Sequence, residues 1–196
     1  MDEEYGSTIW QVIRDAGEDR AIVIETAVHR YQAAVAEFAR AAGHPEAEAA
    51  GLAGTVLERV FDTGRNPAAS PHGTLRSVVY HEARAALAPR PTPSEGEFAR
   101  AWLAALTGSS LLRLAERNPA EHSALRAFLG IDRPPAESSQ ALAAEDADRR
   151  AVVARARDRV ARLLRDEIRA TVSSEEEFRD EVRTLARLLD PAVRDP

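Results

Sequence analysis

Three features of the sequence predict an all-α fold. Alanine occurs 39 times and aromatic residues make up only 5% of the 196 residues, a balance that favours helix over sheet. Apolar residues recur every three and four positions along most of the chain, as one face of a helix requires. No segment of useful length alternates apolar with polar residues as a strand would, and no internal repeat is visible.

Taken in order, Ser7 or Thr8 can cap a short helix carrying Ile9, Trp10 and Ile13, with Gly17 breaking it. A longer helix is predicted from Glu18 to Ala42, with Ile24, Val28, Tyr31, Val35 and Phe38 on its apolar face. Gly43 stops it, and Pro45 opens a third helix to Phe61 that presents Leu52, Val56, Leu57 and Val60 inward. Gly51 and Gly54 lie inside this helix and are expected to allow close helix packing. Residues 63–73 read as a loop, and Thr74 to Leu87 as a fourth helix carrying Leu75, Val78, Val79 and Tyr80.

Residues 89–96, Pro-Arg-Pro-Thr-Pro-Ser-Glu-Gly, form the expected linker. They would separate two helical domains, residues 1–88 and residues 97–196. In the second, helices are predicted over Phe98–Arg117, with Phe98, Trp102, Leu103 and Leu106 on one side, and over Pro119–Leu129. Gly130 and Pro134-Pro135 end the latter, and Ser138 or Ser139 can cap a short helix across Leu142. A long helix follows over Asp148–Val172. Ser173 or Ser174 caps a last one that starts on Glu175, Glu176 and Glu177 and carries Phe178, Val182, Leu185 and Leu188.

Composition excludes several classes of function. Without cysteine, disulfides, thiolate nucleophiles and cysteine-based zinc sites are ruled out. No apolar run approaches a bilayer span and residues 1–20 are acidic and polar, unlike a signal peptide, so no membrane partner and a cytoplasmic location are expected. The five histidines lack ligand spacing, and His81-Glu82 is not followed by the second histidine of a metalloprotease motif. No glycine-rich phosphate loop and no distinct carboxylate pair occur. No catalytic, cofactor-binding or metal-binding residue is nominated, and an enzyme is not expected.

Charge is the informative feature. All 26 basic residues are arginine and the net charge is −6, which does not by itself suggest a nucleic-acid binder. Yet residues 149–165 carry seven arginines against one acid, while residues 1–89, 90–148 and 166–196 are each net negative. On a helix, Val152, Val153, Ala156, Val160, Leu163 and Leu164 fall on one side. Arg155, Arg162, Arg165 and Arg169 fall opposite, with Arg159 at the edge and Asp158 among them. Two readings of this stripe stand side by side. One is a solvated face in a chain that uses arginine for every cation. The other is the second helix of a helix-turn-helix, whose arginines meet phosphates and guanine edges in the major groove.

The order of these pieces resembles the extracytoplasmic-function group of the sigma-70 family of RNA polymerase sigma factors, in its planctomycete-like form. The resemblance runs from about Thr8 to Leu189. It is strongest over 163–172, Leu-Leu-Arg-Asp-Glu-Ile-Arg-Ala-Thr-Val, followed by Ser173-Ser174-Glu175-Glu176-Glu177 and a final helix to Leu188-Leu189. Phe98-Ala99-Arg100-Ala101-Trp102 and 125–130, Leu-Arg-Ala-Phe-Leu-Gly, are similar to stretches of the family's second domain. Ser7-Thr8-Ile9-Trp10 with Val12-Ile13, Tyr31, 56–61 (Val-Leu-Glu-Arg-Val-Phe), and 73–80 (Gly-Thr-Leu-Arg-Ser-Val-Val-Tyr) with Arg84 resemble its first.

This resemblance implies a region 2-like domain that binds the polymerase clamp and melts promoter DNA. It implies a region 4-like domain that reads promoter DNA through a helix-turn-helix unit. The implied partners are core RNA polymerase and promoter DNA. The implied DNA contacts are Arg149, Arg150, Arg155, Arg159 and Arg162 in the second domain and Arg76, Tyr80 and Arg84 in the first.

The chain departs from the family pattern in three places. Gly51, Gly54 and Thr55 stand where the family places an acid and a Gln-Glu pair to grip polymerase. Leu75 and Val78 stand where it has aromatics, and Ala85 where it has Asn. The expected helix-turn-helix turn reads Glu145-Asp146-Ala147-Asp148, with no glycine and three acids. These departures support an alternative: a sigma-like interaction module, a regulator or decoy that binds an anti-sigma factor or another partner without reading promoters.

Overall fold

The computed structural model describes residues 8–62, 74–131 and 146–189. Among these residues all regular structure is helical. The α-helices are α1 (Ile9–Asp15), α2 (Arg20–Ala41), α3 (Glu46–Asp62), α4 (Leu75–Leu87), α5 (Glu95–Arg117), α6 (Pro119–Phe128), α7 (Asp146–Arg169) and α8 (Glu175–Arg187), with a 3-10 turn over Gly17–Asp19. The all-α expectation therefore holds. The predicted loop at 63–73 and the predicted short helix across Leu142 lie outside the described residues.

Helix starts follow local chemistry. Thr8 and Gln11 form a reciprocal capping box at α1: the Gln11 amide donates to Thr8 Oγ1 at 3.3 Å and the Thr8 amide to Gln11 Oε1 at 2.9 Å. Thr74 caps α4 and Ser174 caps α8 through their hydroxyls. At the end of α2, Gly43 adopts φ +89°, a left-handed conformation that a side chain would strain. There the amides of Gly43 and His44 donate back to Arg40 and Ala39, closing the helix as a glycine C-cap does.

The chain divides into two compact units: residues up to Leu106 together with Glu167 onward, and Thr107–Asp166. The expected boundary at 89–96 is therefore displaced. The reason is packing. Phe98 and Trp102, in the first half of α5, are fully buried among residues of the preceding helices. Trp102 stacks on Tyr31 of α2 with ring centroids 4.9 Å apart, and Phe98 meets Phe38 of α2 edge-on at 5.1 Å. The proline-rich stretch ends in the capping box of α5. Ser94 donates its amide to Glu97 at 2.7 Å and accepts the Glu97 amide at 3.3 Å. The Ser94 amide, joined by the Ser94 hydroxyl donating to the same carboxylate oxygen at 2.9 Å, holds the Glu97 carboxyl below the usual carboxylate range.

In the first unit, α2 packs against α1, α3 and α4. Trp10, Tyr31, Phe38, Phe61, Tyr80, Phe98 and Trp102 form an aromatic core connected through the Phe98–Trp102 contact, filled out by Val56, Leu57, Val60, Leu75, Val79 and Leu87. Ile24, Val28 and Leu52, expected inward, are only half-buried, and α2 meets the core through Tyr31 and Phe38 with Ala27, Ala34, Val35 and Ala39 between them. Gly51 and Gly54 do not mark a close helix approach. A Cβ at either would meet nothing within 4 Å. The stretch from Glu167 into α8 completes this unit. The carbonyl of Ala170 accepts the Ile9 amide and that of Thr171 accepts the Leu75 amide, both at 2.9 Å. Two neighbouring carbonyls thus satisfy the first amide of α1 and the first amide of α4, groups that a helix leaves without internal partners.

The second unit has an aliphatic core. Leu114 of α5, Leu125 of α6, and Val153, Ala156 and Leu163 of α7 are buried together, with Leu111, Ala124 and Val160 packed against them.

Candidate nucleic-acid interface

The apolar face of α7 is occupied by this aliphatic core, which fixes the rotation of the helix. Arg155, Arg162 and Arg165 consequently lie on its exposed side; Arg149, Arg150 and Arg157 are exposed as well, but Arg149 lies in line with the buried stripe at the start of the helix and Arg150 and Arg157 at the stripe's margin. Arg169, predicted with the first three, is half-buried: its guanidinium sits 4.6 Å from the centre of the Phe178 ring and pairs with Glu175 at 3.6 Å. Arg157, not singled out from the spacing, joins the exposed set.

Asp158, exposed on α7 among the arginines, interrupts the stripe, and so does a carboxylate from α6. Glu121, in the first turn of α6, pairs with Arg159 at 3.2 Å and with Arg155 at 3.9 Å. Its side chain is 14% exposed, against 38% for Arg159 and 58% for Arg155. Arg159 is therefore largely committed to its own protein. Arg155 is tethered loosely at the limit of ion pairing and keeps most of its surface in water, where such a contact is weak.

The first unit treats its three candidates differently. Arg84 is exposed on α4. Tyr80 is buried, with its ring against Phe38 and Phe98, so it packs the core and cannot receive an unstacked base here. Arg76 is buried as well. Its guanidinium grips Glu181 of α8 with two hydrogen bonds, Nε to Oε1 at 2.7 Å and Nη2 to Oε2 at 3.2 Å. Nη1 reaches Glu95 Oε1 at 3.1 Å. Burial alone would lower the Arg76 pKa; the hydrogen bonds and charge of Glu181, aided by Glu95, outweigh it and hold the group above its ordinary value. In this conformation Arg76 and Tyr80 are thus corrected from surface contacts to interior residues, Arg76 by charge pairing and Tyr80 by ring packing.

The other positions compared with the family divide between surface and core. Gly51 and Thr55 are exposed on α3, where Thr55 Oγ1 donates to the Gly51 carbonyl at 3.1 Å. Leu75 and Val78 are in the core and Ala85 is exposed. Of the expected helix-turn-helix turn, Glu145 lies outside the described residues, while Asp146, Ala147 and Asp148 are already helical, as the first turn of α7.

Spacing alone did not reveal three carboxylates that matter: Glu121, Glu181 and Glu167. Glu167 is 1% exposed and lies 3.6 Å from Arg30. Nearby, burial pushes the Tyr31 phenol up to about 12, with the Arg30 charge pulling the other way and Glu167 adding to the rise. Arg30 acts on the Tyr31 hydroxyl by proximity, since that hydroxyl has no hydrogen bond of ordinary geometry. Glu181 does carry a sequence signal. It falls on the same face as Phe178, Val182 and Leu185, and an acid inside an apolar stripe calls for a buried partner.

Among the described residues no group of three or more histidines and acids is arranged to hold a metal ion, and no helix is long and apolar enough to cross a membrane. Comparison with known protein families, with curated proteins and with solved structures gives no match for this chain.

Proposed function

We propose that this chain is a sigma-like transcription initiation factor that associates with core RNA polymerase and meets promoter DNA along α7. The observation that carries the reading is the division of α7 into two faces. Val153, Ala156 and Leu163 are buried, and this leaves Arg155, Arg162 and Arg165 exposed along the other side. Such an edge matches the repeating charge of a nucleic-acid backbone, and guanidinium groups bind phosphates and guanine edges in a bidentate manner. The net negative charge elsewhere would confine DNA to this edge. The ordered likeness of the flanking segments to sigma factors supplies the polymerase partner. No covalent chemistry is involved.

The test is reconstitution. Purified protein is mixed with core polymerase and assayed on promoters of the neighbouring genes. Association plus a specific transcript, with the transcript reduced when Arg162 is changed to Ala, supports the proposal. Association without transcript sinks it.

A second reading is favoured by specific observations. The interior positions of Arg76 and Tyr80 leave only Arg84 of the three candidates in the first unit at the surface. The exposed Gly51 and Thr55 offer polymerase no charged group. On that reading the chain is a sigma-like interaction module that binds an anti-sigma factor or a comparable protein. A stable complex with such a partner, without DNA binding, would select it.

A further inference from the structure

We propose that α8 is a detachable strap that masks a DNA-binding face of α4, held shut by Glu181 on Arg76. This inference rests on the DNA-binding reading above.

A guanidinium that takes a carboxylate through two parallel hydrogen bonds offers the same fork to a phosphate. Glu181 therefore occupies on Arg76 the position that a backbone phosphate would take. Exposed Arg84 lies about two helical turns further along α4, rotated by about 80° from Arg76, on the solvent-facing flank of the same helix. With α8 in place the fork of Arg76 is filled from inside the molecule.

The way α8 is held suits an element that leaves. A permanent core helix buries an apolar stripe. Along α8 only Leu185 and Glu181 are buried, while Phe178, Val182 and Leu188 are half-exposed. The central contact is thus an ion pair. Buried pairs add little net stability because both charges lose their water, and both regain it on opening. The chain just before α8 is held differently. Ile168, Thr171 and Val172 are buried, and the carbonyls of Ala170 and Thr171 are engaged by α1 and α4. Residues 167–172 are an anchor, Ser173 and Ser174 lie at the hinge position, and α8 is the moving part. Polyanion binding to Arg76 and release of α8 are then two sides of one equilibrium.

The test uses the full chain carrying Glu181→Gln, with Leu185→Ala as a second variant that weakens the strap without touching the pair. The probes are a forked oligonucleotide with a single-stranded arm and a plain duplex. Amide hydrogen exchange is followed helix by helix. In both variants the strap predicts faster exchange confined to α8 and an affinity for the forked probe about tenfold higher, with duplex binding unchanged. In the unaltered protein the forked probe accelerates exchange in α8. The proposal is overturned if α8 loosens without a gain in forked-probe binding. It is equally overturned if exchange rises throughout α2 and α5, since α8 would then be core, or if neither variant alters α8. If the duplex still binds in those cases, only the strap fails. If no form of the protein binds either probe, the DNA reading fails and the strap goes with it.

Discussion

Arg76 and Glu181, 105 residues apart in the chain, meet in a buried two-point ion pair with Nε and Oε1 2.7 Å apart. The contact ties α4 to the last described helix. It also turns a residue expected at a nucleic-acid surface into part of the protein's own closure. A buried pair is costly to break from one side and cheap to replace whole.

Replacing Arg76 with Met leaves the Glu181 carboxylate without its main partner. Breaking a buried pair usually costs about 3–5 kcal/mol. Here the loss is expected at or below the lower end of that range, because α8 can lift and return the carboxylate to water. The double replacement Arg76→Met with Glu181→Leu removes both charges and is expected to be at least as stable as the unaltered chain. Urea unfolding of the two singles and the double closes this cycle. A double variant as unstable as the sum of the singles would show that the pair is not what couples these positions.

The stacked pair Tyr31–Trp102 is the joint that assigns the first half of α5 to the N-terminal helices. Both rings are fully buried, with planes only 6° apart. Truncating Trp102 to Ala removes a large buried side chain and leaves a cavity. It is expected to cost about 3–5 kcal/mol, measured by chemical denaturation with far-ultraviolet circular dichroism. A loss under about 1 kcal/mol would mean that α5 contributes little to this core.

Much of this architecture was legible in the sequence, and the misses have physical causes. Periodic apolar residues located the helices, because burying one helix face imposes a period near 3.6. The unit boundary was misplaced because prolines at 89, 91 and 93 mark a break in helix and not a break in packing. The Ser94-x-x-Glu97 signature inside that stretch was a readable helix start. The aliphatic face of α7 was read largely correctly, since it depends on local spacing. What α7 presents on the other side depends on Glu121, a residue of another helix, and no local pattern reports that. Arg76 and Tyr80 went astray for the same reason: their burial is set by α8 and by Phe98, both distant in sequence.

The alkaline limb of stability is expected to report Tyr31. Its phenol titrates near 10 in the unfolded chain and is pushed to about 12 by burial in the folded one. A neutral group with a raised folded pKa contributes stability that is fully present below the unfolded value and is lost as pH rises through the folded one. Stability should therefore hold up to about pH 10 and fall between about 10 and 12, by roughly 2–3 kcal/mol. The chain contains no lysine and no cysteine, so tyrosines account for the side-chain deprotonation expected in that window. Tyr31→Phe should flatten the fall, monitored by denaturant midpoint against pH. An unchanged fall would place its origin elsewhere.

The Glu121 carboxylate makes the arginines of α7 unequal, and DNA binding should reveal the inequality. Each phosphate neutralised releases condensed counterions and adds about 0.9 to the slope of log affinity against log salt. Arg162 is exposed, whereas Arg159 is held 3.2 Å from Glu121, so Arg162→Ala should weaken duplex binding more than Arg159→Ala. Glu121→Gln should release Arg159 and, to a lesser degree, Arg155. Its salt dependence should steepen by about one to two phosphate contacts. Changing Arg155 and Arg159 together to Ala in the Glu121→Gln background should abolish that gain. Fluorescence anisotropy across a salt series gives all of these slopes. Equal losses at Arg159 and Arg162, with no steepening on removal of the Glu121 charge, would show that this carboxylate does not compete with DNA for the arginine edge.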